Sequence, residues 1–272
     1  MTLLGVGGSA GVPHIGGADG RGDWGACDAT EPRNRRTRSS IVIEQQGQRI
    51  LVDTSPDLRT QLLACEIGRV DAILFTHAHA DHILGLDDVR LLNRSRGTPI
   101  DAYATEPTLA DLENRFDYAF KPWTAPYFYR PVLVPHAIEP GQTVDIAGIP
   151  VRVFQQDHYV MPTLGLRIGG FGYSTDVVTL DEAAFAALEG VETWVVDCFQ
   201  RQPHRTHVWL ARVLEWVARL RPKRAVLTHM GNDMDWEWLV RRLPANVEPG
   251  QDGMVLDIAG VQLPEPRDLT TA

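Results

Sequence analysis

The stretch Phe75-Thr76-His77-Ala78-His79-Ala80-Asp81-His82-Ile83-Leu84-Gly85-Leu86 decides the reading of this chain. Three histidines and one aspartate fall within six residues, directly after the mostly apolar run 70–76, which reads as a buried strand. Imidazole nitrogen and carboxylate oxygen are the donors that borderline first-row ions prefer. A lone histidine is most often a satisfied core residue. Four such groups at the carboxyl end of one strand are different, because α/β folds gather their sites there. A tight turn after the strand aims His77 and His79 at one ion, while Asp81 and His82 reach a second.

Two coordination spheres need more donors, and other strand ends offer them. Asp157-His158 closes the strand at 150–156. Gly172-Tyr173-Ser174-Thr175-Asp176 carries an aspartate just past a short strand, placed to bridge two ions. Ala225-Val226-Leu227-Thr228-His229 repeats the pattern of apolar strand, threonine and histidine.

The remaining pattern predicts strands at 2–6, 40–44, 49–53, 100–104, 131–134, 142–146, 164–168, 171–174 and 191–196. Helices are expected over 56–64, over Thr179–Leu188 with Thr179 and Glu182 as a capping box, over 207–220 and over 233–243. Residues 107–131, rich in aromatics and proline, read as an irregular insertion, helical at first; it is core, a homodimer contact or a surface that stacks on a nucleobase. No linker, repeat or low-complexity segment divides the chain, so one domain is expected.

With 44% hydrophobic residues in 272, the chain can bury a sizeable core. Its net charge of −9 disfavours a broad electrostatic grip on a long nucleic acid and leaves a small substrate compatible. The three cysteines, Cys27, Cys65 and Cys198, are odd in number and far apart, which is no disulfide framework. The N-terminus lacks a basic flank and an apolar h-region, and no stretch approaches the ~20 apolar residues of a membrane span. A cytoplasmic protein with no membrane partner is the expectation.

The order His77-x-His79-x-Asp81-His82, then His158, Asp176 and His229, resembles the metallo-β-lactamase superfamily over nearly the whole chain. Within it, Gly5-Val6-Gly7-Gly8-Ser9-Ala10-Gly11-Val12-Pro13, Arg38-Ser39-Ser40 and Thr228-His229 are similar to the phosphodiesterases of the carbon–phosphorus lyase operon (PhnP-type), with ribonuclease Z as a sister group. The resemblance implies an α/β fold, a four-layer αββα sandwich with the site along one edge of its two sheets. It implies two divalent metal ions, zinc or manganese: His77, His79 and His158 on one, Asp81, His82 and His229 on the other, Asp176 between them. PhnP-type enzymes also turn a histidine toward the substrate phosphate. His207, in Pro203-His204-Arg205-Thr206-His207, sits at the matching place and is expected to open a helix, with His204 as its competitor. PhnP-type relatives commonly hold a structural zinc through a cysteine cluster after the glycine-rich turn and a histidine three residues beyond the last ligand. Here residues 16–27 keep only Cys27, and Asn232 takes the histidine's place, so no third structural zinc is expected.

The expected chemistry is in-line attack on a small phosphodiester or nucleotide, with Asp81 orienting the hydroxide. His207 stabilises the phosphoryl oxygens or protonates the leaving oxygen. The rivals are a thioester or lactone hydrolase of the same superfamily, a ribonuclease Z-like RNA-processing nuclease, and a non-catalytic metal-binding scaffold. The basic run Arg33-Asn34-Arg35-Arg36-Thr37-Arg38 is either a solvated loop paired with acids or a source of positive potential near a phosphate.

Overall fold

Alternation along the first strands sets up the layers. In the computed structural model, which describes residues 1–258, β1 (Thr2–Gly5), β2 (Ser40–Gln45) and β3 (Gln48–Val52) pair antiparallel. Leu3, Ile41, Ile43, Ile50 and Val52 enter one buried cluster, and Leu4, Val42 and Leu51 enter another. A period of two sends neighbouring side chains to opposite faces, so this sheet is covered on both.

β4 (Ala72–Leu74), β5 (Ile100–Ala104) and β6 (Leu133–Ala137) extend it in parallel, giving the order β1-β2-β3-β4-β5-β6. Parallel neighbours need crossovers, and helices supply them. These are α1 (Leu58–Ala64), then α2 (Ala80–Ile83) with α3 (Val89–Arg96), then α4 (Glu106–Arg115) with α5 (Asp117–Phe120). Leu58, Leu62, Val89, Leu92, Leu109 and Leu112 join Leu4, Val42 and Leu51 on the outer face.

The second sheet runs β13-β12-β11-β10-β9-β8-β7. β7 (Thr143–Ile146), β8 (Ile149–Asp157), β9 (Pro162–Ile168) and β10 (Phe171–Ser174) pair antiparallel. β11 (Thr193–Asp197), β12 (Arg224–Thr228) and β13 (Val247–Pro249) follow in parallel. Their crossovers are α6 (Glu182–Leu188), α7 (Leu210–Leu220) and α8 (Trp236–Val240). Val151, Val153, Leu164, Leu166 and Tyr173 meet the first sheet's inner residues in one core. Helices thus flank two facing sheets, the αββα order of an α/β fold.

All four expected helices start later than expected, α1 at Leu58 and α8 at Trp236 among them, and two of the shifts have a visible cause. α6 begins at Glu182 and is capped by Asp181, whose carboxylate accepts from the Ala184 amide at 2.7 Å. Thr179 is drawn off by a bridge to Asp157. α7 begins at Leu210, because Val208 gives its amide to the Val177 carbonyl and Trp209 bridges Gln200 in extended form. His207 therefore lies ahead of the helix and does not open it.

The basic run is structural. Arg33 pairs with Glu31 at 2.6 Å and lies over the Trp236 ring, Arg35 lies over Trp24, and Arg38 pairs with Asp57 at 3.1 Å. Arg36 is only 2% exposed and donates to the carbonyls of Gly231 and Met234 and to Asn34 Oδ1. It ties the N-terminal loop to the segment after His229. Losing charge-assisted bonds and leaving buried carbonyls unmatched costs about 3 kcal/mol. Arg36→Ala is therefore expected to lower the melting temperature by roughly 6–12 °C; an unchanged transition in calorimetry refutes this anchoring role.

Candidate metal centre

The carboxyl ends of six strands open at one edge of the sandwich. β4 delivers Thr76 and His77, β8 His158, β10 Asp176 and β12 His229, while β3 and β11 deliver Asp53 and Asp197. The short helix α2 then carries Asp81 and His82. Gly85 lets this turn lie against the Ser55 carbonyl, which any Cβ at that position would strike. Donor atoms of His77, His79, His158 and Asp176 all lie within 4.8 Å of one another, as do those of Asp81, His82, Asp176 and His229. All seven side chains picked out from the sequence for metal therefore converge in two groups that share Asp176.

A second layer fixes how the imidazoles point. Asp53 accepts from the Thr76 amide at 2.7 Å, from Thr76 Oγ1 at 2.8 Å and from His82 Nδ1 at 2.7 Å. With its proton committed to Asp53, the Thr76 hydroxyl receives the His77 Nδ1–H at 3.0 Å. His158 Nδ1 donates to the Thr206 carbonyl at 2.7 Å. Each of these rings holds a proton on the outward nitrogen and turns Nε2 inward, the nitrogen whose lone pair a cation would take.

The inward nitrogens test the fit of a cation. Nε2 of His77, His82 and His229 are buried without a hydrogen bond. They stand 3.8, 3.1 and 3.3 Å from the Asp176 carboxylate. Buried polar atoms left without a partner cost on the order of 1–3 kcal/mol each. Nitrogen and carboxylate donors converging in this way fit divalent zinc or manganese.

The backbone is held in place against preference. Asp53, Asp176 and His229 adopt φ of 63°, 52° and 54°, the left-handed region that non-glycine residues seldom enter. Such conformations persist where surrounding bonds over-determine them; here the hydrogen bonds to Asp53 and the strand on each side do so.

Charge in the cluster balances without an ion only by taking up protons. At His82 burial lowers the pKa, but Asp176, Asp81 and Asp53 together carry it well above the ordinary value. At His229 burial is likewise overcome by Asp176, Asp81 and Asp197, and the pKa rises to about 9. His77 goes the other way, driven well down by burial and then by its neighbour His82. Burial also lowers His79 and His158. Asp176 stays ionised because His229, His82 and His77 outweigh its burial. Positive charge is thus held where a cation would sit, and cation uptake must expel those protons.

His207 borders this cluster. Its Nδ1 donates to Asp197 Oδ2 at 2.9 Å, and its ring stacks on His229 with centroids 4.6 Å apart. The same Asp197 oxygen takes the Val177 amide at 3.1 Å, which locks the carboxylate. His204 sits farther out, 5.5 Å from His207 between ring centroids, and both rings contact Phe199. Of the two candidates, His207 is the one in the cluster.

Asp53, Asp197 and Phe199 escaped the sequence reading. The first two carried a usable signal, an aspartate that ends an apolar strand, the same signal that marked Asp157-His158. Cys27 is buried, and the neighbouring Gly25 packs on Asn232, which reaches His14 Nδ1 at 3.4 Å. In the insertion, Arg115 donates to the Ala78 carbonyl at 2.7 Å, between His77 and His79. Phe116 and Phe128 are core, whereas Tyr127 and Tyr129 are exposed and stacked on each other.

Comparison with known proteins agrees with this geometry. A family model described as the Beta-lactamase superfamily domain matches residues 48–230. Among solved structures, a diphosphatase from the PhnP family is 33% identical, with a TM-score of 0.83 covering 93% of this chain and 94% of that one. The octanoyltransferase of Porphyromonas gingivalis is 29% identical over 267 residues, 96% of this chain but 52% of that protein. Ribonuclease Z of Bradyrhizobium sp. is 31% identical over 143 residues, 51% of this chain and 46% of that protein. The chain spans about half the length of these last two relatives.

Proposed function

The chain belongs to the β-lactamase superfamily, and from that premise we propose that it is a two-ion phosphodiesterase acting on small substrates. The reading is carried by the two donor sets joined through Asp176, with His207 held beside them by Asp197. His77, His79 and His158 hold one zinc or manganese ion, Asp81, His82 and His229 hold the other, and Asp176 lies between. When bound, such ions supply Lewis acidity and a water acidic enough to attack phosphorus at neutral pH.

The chain's own groups do the rest. The Asp81 side chain is 10% exposed against 2% for Asp176, so it is the carboxylate open to the cleft and orients the attacking water. Asp197 accepts the Nδ1 proton of His207 and so leaves Nε2 as the nitrogen free to act. Nε2 then delivers a proton to the leaving oxygen, or donates to a phosphoryl oxygen. Arg205, whose guanidinium lies over the ring of Tyr159 next to His158, adds positive charge in a chain of net charge −9, which suits an anionic substrate.

A small diester or nucleotide fits better than a long RNA. Only four residues, His158 to Met161, connect β8 to β9 beside the cleft, and the net charge opposes a polyanion. Thioester or lactone hydrolysis is the second reading, favoured by the likeness to an octanoyltransferase. A panel of bis-p-nitrophenyl phosphate, p-nitrophenyl octanoate and an octanoyl thioester, each with added Zn²⁺ or Mn²⁺, separates the two. The diester is expected to lead in kcat/KM by roughly 10²-fold or more, the worth of one well-aimed charge-stabilising contact. An ester or thioester turned over faster than the diester overturns the first reading and supports the second.

A further inference from the structure

The glycine-rich turn Gly5–Pro13 has no donor atom in the metal centre, yet one of its residues bears on it. A Cβ at Gly8 would lie 2.8 Å from Phe199 Cε2, 3.1 Å from Cδ2 and 3.4 Å from the His229 carbonyl oxygen. Gly8 is not among the glycines with left-handed backbone, so no positive φ bars alanine there, and the tightest conflict is with the ring. That ring cannot retreat by moving its backbone. Phe199 donates its amide to Val208 at 3.0 Å, and its carbonyl accepts from Gly231 at 2.8 Å. Displacement must be taken up by rotating the phenyl group.

Rotation would disturb the imidazoles stacked around it. The Phe199 ring lies 4.8 Å from His207 at an interplanar angle of 29°, 4.9 Å from His204 and 6.1 Å from His229. His207 is held by one hydrogen bond, Nδ1 to Asp197, and a single bond leaves its ring free to tilt. The faces of Phe199 and His229 remove that freedom. We propose that Phe199 is a positioning residue that fixes the tilt of His207, and that residue 8 is glycine to leave room for the Phe199 ring. The inference rests on the proposed role of His207 as proton donor to the leaving oxygen.

The test is a double-mutant cycle of Gly8→Ala and Phe199→Ala, with His207→Ala alongside. Two phosphodiesters are compared: adenosine 2′,3′-cyclic phosphate, whose leaving alkoxide needs a proton, and bis-p-nitrophenyl phosphate, whose nitrophenolate does not. Misplacing a catalytic group by about 1 Å costs on the order of 10²-fold. Gly8→Ala and Phe199→Ala are each expected to lower kcat on the cyclic nucleotide by roughly tenfold to a hundredfold, with KM and activity on the nitrophenyl diester within about threefold. In the Phe199→Ala background, Gly8→Ala should cost nothing further, because the clash is gone. Equal cost in both backgrounds, or equal loss on both substrates, overturns the inference. If His207→Ala itself loses both substrates equally, the proton-donor role fails instead. Metal content and melting temperature of each variant identify a loss that comes from misfolding, and such a loss counts against the inference.

Discussion

Asp176→Asn is expected to reduce kcat/KM on a phosphodiester by at least about 10³-fold and to take the bound ion content from two per chain to one or fewer. Asp176 is the one side chain that belongs to both donor groups. One of its oxygens faces His229, His77 and His158 at 3.3, 3.8 and 3.9 Å, and the other faces His82 at 3.1 Å. Asparagine keeps the volume and tolerates the left-handed backbone at φ 52°, so the substitution isolates charge from strain. It leaves one neutral oxygen where, on the proposed reading, two cations would share an anion, and an NH₂ group confronts an imidazole nitrogen. Alanine would add a backbone penalty of roughly 1–2 kcal/mol and blur the result. Elemental analysis of the purified variant, steady-state kinetics at saturating Zn²⁺ or Mn²⁺ and circular dichroism together make the measurement. A variant that retains two ions and a tenth of the activity removes Asp176 from the centre.

The donors themselves were legible because their chemistry is local. His77, His79, Asp81 and His82 crowd one strand end, and no core use of four such groups within six residues is economical. His158, Asp176 and His229 were legible at longer range, since an apolar strand that ends in a donor recurs for each. Their supports, Asp53 and Asp197, end apolar strands in the same way, but the signal does not tell which ring each one serves. Asp53 serves His82 across 29 residues and Asp197 serves His207 across ten, through contacts between a strand end and a later turn or loop that periodicity does not reveal. The start of α7 was misread for a related reason. Val208 is fully buried and keeps the apolar spacing of the helix, but its burial comes from pairing with Val177. Sequence spacing records that a residue is buried; it does not record against what. The left-handed φ of Asp53, Asp176 and His229 is equally silent, because none of them is glycine.

Asp53 provides the second large effect, and its predicted signature differs from that of Asp176. It is fully buried, and its influence on the site passes directly through His82 and, at one remove, through the Thr76 hydroxyl to His77. In Asp53→Asn the amide oxygen stays with the Thr76 amide that Oδ1 now serves, since an NH₂ there would face another donor. The NH₂ then takes the place of Oδ2 and points at His82 Nδ1. Two N–H groups cannot face each other, so His82 must surrender its Nδ1 proton and carry one on Nε2, the nitrogen that faces Asp176 and Asp81. That tautomer has no lone pair for an ion. Loss of such outer-layer support commonly costs 10–100-fold in metal affinity, and the ion that Asp81, His82 and His229 would hold on the proposed reading should bear the larger part, since its imidazole is in direct contact with Asp53. Titration with a chromophoric chelator is expected to show one site weakened by roughly that factor and the other less affected. Excess Zn²⁺ or Mn²⁺ should restore most of the turnover, because binding drives the tautomer back. Asp176→Asn, which lacks a ligand and not merely its orientation, should gain nothing from the same excess. Two unchanged affinities in Asp53→Asn, or an activity loss that excess ion leaves untouched, would mean that Asp53 supports the fold of this strand end and not the aim of His82.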